Sequence, residues 1–66
     1  MKLGKLIKKE RREAKISQKD MAREIGLDKN HYCAIENGRR GVTVAVLEKV
    51  AIKLKKQLVI TFIDKV

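Results

Sequence analysis

Apolar residues recur every three or four positions through most of the chain, which is the spacing typical of amphipathic helices. The first such stretch extends from about Lys2 to Lys15. Its apolar stripe consists of Leu3, Leu6, Ile7 and Ala14. Arg11 falls on the same stripe, whereas the lysines fall mostly on the other faces. The pattern therefore predicts a first helix that turns one arginine toward the core.

Two shorter helices are predicted next, with a tight turn between them. Ser17 opens a capping box, in which the serine hydroxyl accepts a hydrogen bond from a free backbone N–H of the helix. Gly26 suits the positive φ at which this helix would end. Asp28 suits the N-cap of a third helix, which is expected to end near Asn37. Two helices joined by a short turn that contains glycine have the sequence form of a helix-turn-helix.

A fourth helix is predicted after a basic loop. Thr43 suits its N-cap, and apolar residues again recur at helical spacing. The predicted buried stripe of this helix is Val44, Leu47, Val50, Ala51 and Leu54.

The segment from Leu58 to Ile63 is β-branched, aromatic and apolar on both faces, which favours a strand over a continuation of the fourth helix. A lone strand leaves its backbone groups unpaired, and the sequence offers no second strand-like segment. A frayed tail is the alternative, but an exposed tail of this composition would aggregate. We therefore expect antiparallel pairing with the same segment of a second copy. The expected dimer contacts are Leu58, Val59, Ile60, Thr61, Phe62 and Ile63.

Composition narrows the class of function. The chain has 17 Lys and Arg against 8 Asp and Glu, a formal net charge of +9. An excess of this size favours a polyanionic partner, with nucleic acid ahead of an anionic membrane or an acidic protein. No run of about 18 apolar residues is present, so no membrane-spanning helix is expected. The chain begins without the apolar stretch of a signal peptide, and we expect a cytoplasmic protein with no membrane partner.

The chain is poor in residues that perform catalysis or bind metal. Its 66 residues form one small domain with a thin core. Cys33 and His31 are the only soft metal ligands in the sequence, so no structural zinc is expected. They lie two positions apart on a predicted helix, where side chains do not face each other. We therefore expect neither an enzyme nor a cofactor, and a homodimer is expected to help stabilise the domain.

From Lys8 to Leu54 the chain resembles the Cro/cI repressor (XRE) helix-turn-helix family. The resemblance rests on Arg11, Ser17-Gln18-Lys19-Asp20-Met21-Ala22, Ile25-Gly26-Leu27 and Ile35-Glu36-Asn37-Gly38-Arg39-Arg40. It implies a mainly α, four-helix, lambda-repressor-like DNA-binding domain. We assign residues 1–56 to this domain and residues 57–66 to the dimerisation strand. The layout of this C-terminal strand is similar to that of HipB-type antitoxins.

The resemblance implies that the third helix enters the major groove and reads bases. The expected base-reading residues are Lys29, Asn30, Cys33 and Ala34. Lys29 can donate to guanine, and Asn30 can bind adenine through two hydrogen bonds. Cys33 and Ala34 offer a small apolar surface that suits a thymine methyl group. The alternative for Lys29 and Asn30 is an ordinary solvated helix start.

Other residues are expected to hold the DNA backbone or the fold. The expected phosphate contacts are Gln18, Asn37, Arg39 and Arg40, with Ser17 in a secondary role beside its cap. A buried charge needs an opposite charge. The family pairs an arginine and a glutamate at positions 11 and 36, so we expect an ion pair between Arg11 and Glu36.

Two residues of the third helix allow more than one interpretation. Tyr32 takes a core position of the family, and we expect its ring in the core with its hydroxyl at the surface. Cys33 could act as a redox sensor, but packing of a small residue is favoured, since no resolving cysteine exists in the chain.

The leading hypothesis is a sequence-specific transcriptional regulator, a repressor, that binds a pseudo-palindromic operator of double-stranded DNA as a homodimer. The alternative is an antitoxin that binds a toxin protein and represses its own operon.

Overall fold

The computed structural model describes residues 3–64, which contain four α-helices. They are α1 (Leu3–Glu13), α2 (Gln18–Ile25), α3 (Lys29–Glu36) and α4 (Val44–Leu54). The predicted helix start at Lys2 and the last two residues of the predicted strand region, Lys65 and Val66, lie outside the described residues. No helix within residues 3–64 is long and apolar enough to cross a membrane. The prediction of a mainly helical, four-helix fold is therefore confirmed.

α1 ends two residues earlier than its apolar pattern predicted. The Lys15 backbone has a positive φ of 60°, so the chain turns after Glu13 and leaves Ala14 exposed. Near the other end of the stripe, Leu3 and Leu6 are 47% and 36% exposed. Only part of the predicted stripe therefore enters the core.

The first turn of α1 rests directly on the end of α3. A Cβ atom built on the buried Gly4 would lie 2.2 Å from the carbonyl oxygen of Ile35 and 2.9 Å from that of Glu36. No side chain fits in this space, so glycine is what allows the two backbones to approach. Periodicity did not reveal this contact, because a glycine inside a helix is ordinarily only a weak position.

Each of the three following helices begins at its predicted N-cap. The Ser17 Oγ accepts a hydrogen bond from the N–H of Asp20 at 3.0 Å. The side chains of Asp28 and Thr43 accept in the same way from the N–H three residues later. Gly26 ends α2 with a φ of 75°, which only glycine adopts without cost. Local capping chemistry thus sets most of the helix boundaries.

The core lies where all four helices meet. Its buried apolar residues are Ile7, Met21, Ala22, Ile25, Tyr32, Ile35 and Val50. Tyr32 is 0% exposed, and its hydroxyl has no hydrogen-bond partner within the described residues. The expectation that this hydroxyl reaches the surface was wrong, because the core closes over the whole side chain. Burial accordingly raises the pKa of Tyr32 above its ordinary value.

α4 contributes less to the core than its pattern predicted. Val50 is buried, whereas Val44 is 54% exposed. The remaining stripe residues Leu47, Ala51 and Leu54 are half-buried. Together with Leu6 of α1 they line an apolar groove that extends to Leu58 and Val59.

The tail, which we define as residues 56–64, does not continue α4. The helix ends at Leu54, and Lys55 takes a φ of 59°. Lys56 then forms an ion pair with Glu10 of α1. Within the described chain the tail forms no strand, and most of its apolar side chains are exposed. These are Val59, Ile60, Phe62 and Ile63.

Candidate nucleic-acid interface

α2 and α3 form the two helices of the motif, joined by a turn at residues 26–28. They pack against each other, and α4 packs across α2. Leu27 of the turn packs half-buried against the core. α3 buries Tyr32, Ile35 and Glu36, which turns the opposite side of this helix to solvent.

The outward side of α3 carries a shallow cleft. Its lining residues are Asn30, Cys33, Ala34, Asn37, Arg39 and Arg40, and we call it the α3 cleft. It brings together three residues predicted to read bases and three predicted to hold phosphate. Cys33 and Ala34 are half-buried, whereas Asn30 is exposed. Lys29, at the first position of α3, is exposed and lies outside this lining.

The loop after α3 holds two arginines beside the cleft. The backbone N–H groups of Arg39 and Arg40 both donate to the Ala34 carbonyl oxygen, at 2.9 and 3.3 Å. Gly38 allows this reversal with a φ of 78°. Both arginines are exposed, and neither forms an ion pair within residues 3–64. Their guanidinium groups are therefore available to an anion.

Arg11 and Glu36 meet in the core, between α1 and the end of α3. The Arg11 Nε lies 2.7 Å from the Glu36 Oε2, and the two side chains are 10% and 1% exposed. A second guanidinium nitrogen, Nη1, donates to the Ile16 carbonyl oxygen at 2.8 Å. Burial alone would raise the pKa of Glu36, but hydrogen bonds from Arg11 and Gln18 hold this pKa below its ordinary value. Glu36 is therefore ionised at neutral pH, and its charge is balanced inside the protein.

Gln18 is held by two side chains of α3. Its Nε2 donates to the Glu36 Oε1 at 3.0 Å, and its Oε1 accepts from the Cys33 Sγ at 3.2 Å. An ionised carboxylate only accepts hydrogen bonds, so Glu36 determines which end of the amide faces it. One N–H of the Gln18 amide is left for a phosphate. Sequence reasoning missed this link, because Gln18 and Cys33 are 15 positions apart and no local pattern relates them.

The other two predicted phosphate contacts lie at helix ends. Ser17 is exposed, and its hydroxyl accepts from the first turn of α2. Asn37 is exposed and is the C-cap of α3. The described part of the chain contains no group of three or more His, Cys, Asp or Glu side chains that could hold a metal ion.

Comparison with known proteins identifies the family. A family model described as Helix-turn-helix matches residues 7–60. The control protein C.MunI of Mycoplasma sp is 40% identical over 52 residues, which are 77% of this chain and 70% of that protein. The ImmF control region 10 kDa protein of Bacillus phage phi105 is 37% identical over 57 residues, which are 86% of this chain and 63% of that protein. The chain thus spans less than two thirds of the phage protein. It belongs to the Cro/cI (XRE-type) helix-turn-helix family of DNA-binding regulators, and it is not an enzyme.

Proposed function

We propose that this protein is a transcriptional repressor that binds a pseudo-palindromic operator as a homodimer. In helix-turn-helix proteins, the second helix of the motif lies in the major groove and its N-terminal residues contact base edges. α3 is that helix here. The observation that carries the proposal is the α3 cleft, in which amide and guanidinium side chains surround the small residues Cys33 and Ala34. A dimer bound over a promoter excludes the polymerase, so repression needs no catalysis.

Sequence would be read by four residues of α3. The exposed side chains of Lys29 and Asn30 suit hydrogen bonds to guanine and adenine, respectively. Cys33 and Ala34 are short enough to let a base edge approach the helix and to contact a thymine methyl group.

The DNA backbone would be held on both sides of α3. Arg39 and Arg40 reach one side from the loop, and their exposed guanidinium groups suit phosphate. Gln18 and Ser17 stand at the start of α2, where free N–H groups and the helix dipole favour an anion. Asn37 lies at the end of α3, between these groups and the cleft. Such contacts fix the position of the protein and carry no sequence information directly.

Dimerisation would cover the tail. Phe62 and Ile63 are 101% and 87% exposed, and apolar side chains in water favour association. Residues 58–63 of two copies can pair as antiparallel strands about a two-fold axis, which satisfies the backbone groups of both. The proposal of a homodimer therefore rests on exposed apolar area and unpaired backbone in the same segment.

The names of the two similar proteins describe control proteins, which supports a regulatory role for this chain. The antitoxin alternative stays a prediction, because no contact within residues 3–64 and neither of these two names concerns a toxin.

The test is selection of bound duplexes from a random DNA library at physiological salt. We expect an inverted repeat with half-site centres about one helical turn, roughly 34 Å, apart. Asn30→Ala should lose about 1–3 kcal/mol of discrimination at one position of each half-site. The matched control, Lys49→Ala, changes an exposed α4 residue and should select the wild-type sequence. Binding without any enriched sequence, which simply weakens as salt rises, would overturn the proposal.

A further inference from the structure

A second cleft borders the α3 cleft and is built from α1. Lys5 and Lys8 line it on one side, and Glu36, Asn37 and Gly38 line it on the other. Asn37 also lines the α3 cleft. The two clefts therefore form one continuous surface that passes around the end of α3.

The second cleft is positively charged. Glu36 is its acidic lining residue, and Arg11 neutralises that carboxylate from inside the protein. Lys5 is exposed and Lys8 is half-buried, and neither forms an ion pair within residues 3–64. Residues three or four apart lie on one side of a helix, so Arg12 continues the row that Lys5 and Lys8 begin. All three line a neighbouring depression on α1.

We propose that Lys5 and Lys8 bind a DNA phosphate adjacent to the one at Asn37. The inference rests on the proposed function, because it takes Asn37 as a point where the DNA backbone touches the protein. From that point, the surface continues onto α1 and offers two ammonium groups with no acidic partner of their own. α1 thus extends the contact with one DNA strand beyond the helix-turn-helix. The helix-turn-helix motif alone does not predict this, since α1 is not part of it.

Lysine is a compact point charge that binds phosphate without fixed geometry. The contact is therefore expected to add affinity equally for all sequences. Its measurable signature is the dependence of binding on salt, because each phosphate that a lysine neutralises releases condensed counterions.

The test compares the double variant Lys5→Gln/Lys8→Gln with Lys49→Gln/Lys55→Gln. Both remove two positive charges, but Lys49 and Lys55 lie outside both clefts. Binding to a selected duplex and to a random duplex of equal length is measured over a series of salt concentrations. The slope of log K against log salt should become shallower by about 1.8 for the α1 variant, about 0.9 for each lost contact. It should stay at the wild-type value for the control.

Ethylation interference locates the contact on the DNA. We expect at least one phosphate per half-site whose ethylation weakens the wild type but not the α1 variant, next to phosphates that affect both. Equal slopes for both double variants, or a lower ratio of specific to random affinity in the α1 variant alone, would overturn the inference. Failure of the proposed function is a separate outcome, in which the wild type prefers no sequence at all.

Discussion

The helical body and the tail treat their unsatisfied groups in opposite ways. In the body, the Glu36 carboxylate accepts hydrogen bonds from Arg11 and Gln18 at 2.7 and 3.0 Å, so three helices are joined by charged and polar side chains. In the tail, Phe62 is fully exposed, and no strand pairs its backbone within the described chain. Contacts within one chain determine the conformation of the body, whereas the tail depends on a second surface.

This difference has a measurable consequence. A defect in the body lowers the free energy of unfolding at any protein concentration. A defect in the tail acts on association, so its effect depends on concentration. The following changes separate the two regions, starting from the largest expected effect.

Glu36→Ala attacks the body at its most buried charge. The variant leaves the Arg11 guanidinium buried without its partner, and the free energy of unfolding should fall by about 3–5 kcal/mol. Urea denaturation followed by circular dichroism measures this. Glu48→Ala is the control, because Glu48 is exposed on α4 and should change stability by no more than about 0.5 kcal/mol. A similarly small change for Glu36→Ala would show that the ion pair does not hold the body together.

Acid should weaken the body through the same carboxylate. Hydrogen bonds hold the pKa of Glu36 below its ordinary value of 4.5 in the folded protein. The folded state therefore binds this proton less readily than the unfolded state, so the stabilisation is complete above about pH 4.5 and is lost as the pH falls through the lower, folded pKa. The free energy of unfolding is measured across this range for the wild type and Glu36→Gln. An equally steep acid-induced loss in the two proteins would contradict the prediction.

Gly4→Ala tests the contact between α1 and α3. Alanine is the better helix former, but its Cβ would lie 2.2 Å from the Ile35 carbonyl oxygen. Backbone must move to accept it, which typically costs about 1–3 kcal/mol. The control is Gly41→Ala, because a Cβ at Gly41 meets nothing within 4 Å. Thermal unfolding should show a loss for the first variant and little change for the second; the reverse order would sink the argument from close approach.

Phe62→Ser tests the tail. Burying a phenylalanine side chain contributes about 1.5–3 kcal/mol, so the dissociation constant of the dimer should rise at least about tenfold. Sedimentation equilibrium measures it, and Val44→Ser, a change at an exposed residue of α4, serves as the control. A wild type that stays monomeric at high concentration would remove the basis for the predicted strand pairing.

The sequence predicts what local chemistry decides. Ser17, Asp28 and Thr43 cap their helices because each side chain reaches an N–H three residues away, and periodicity alone turns Arg11 inward. The contact of Gly4 could not be predicted, because it depends on where α3 ends in space. The same holds for the Gln18 amide, whose partners are set by the packing of α2 on α3. The tail differs again, since the partner that its pattern requires is not in the same chain.

Cys33→Ala should have the smallest effect on the body. It removes the S–H donor to the Gln18 Oε1 but leaves the bond from Gln18 to Glu36 in place, so the free energy of unfolding should fall by about 0.5–1 kcal/mol. Cys33→Ser keeps a donor at this position and should recover part of that loss. Ala34→Ser, which adds a hydroxyl to the neighbouring half-buried residue, is the control for a new polar group on α3. If serine and alanine at position 33 are equally destabilising, the thiol acts through packing, and the carboxylate of Glu36 alone orients Gln18.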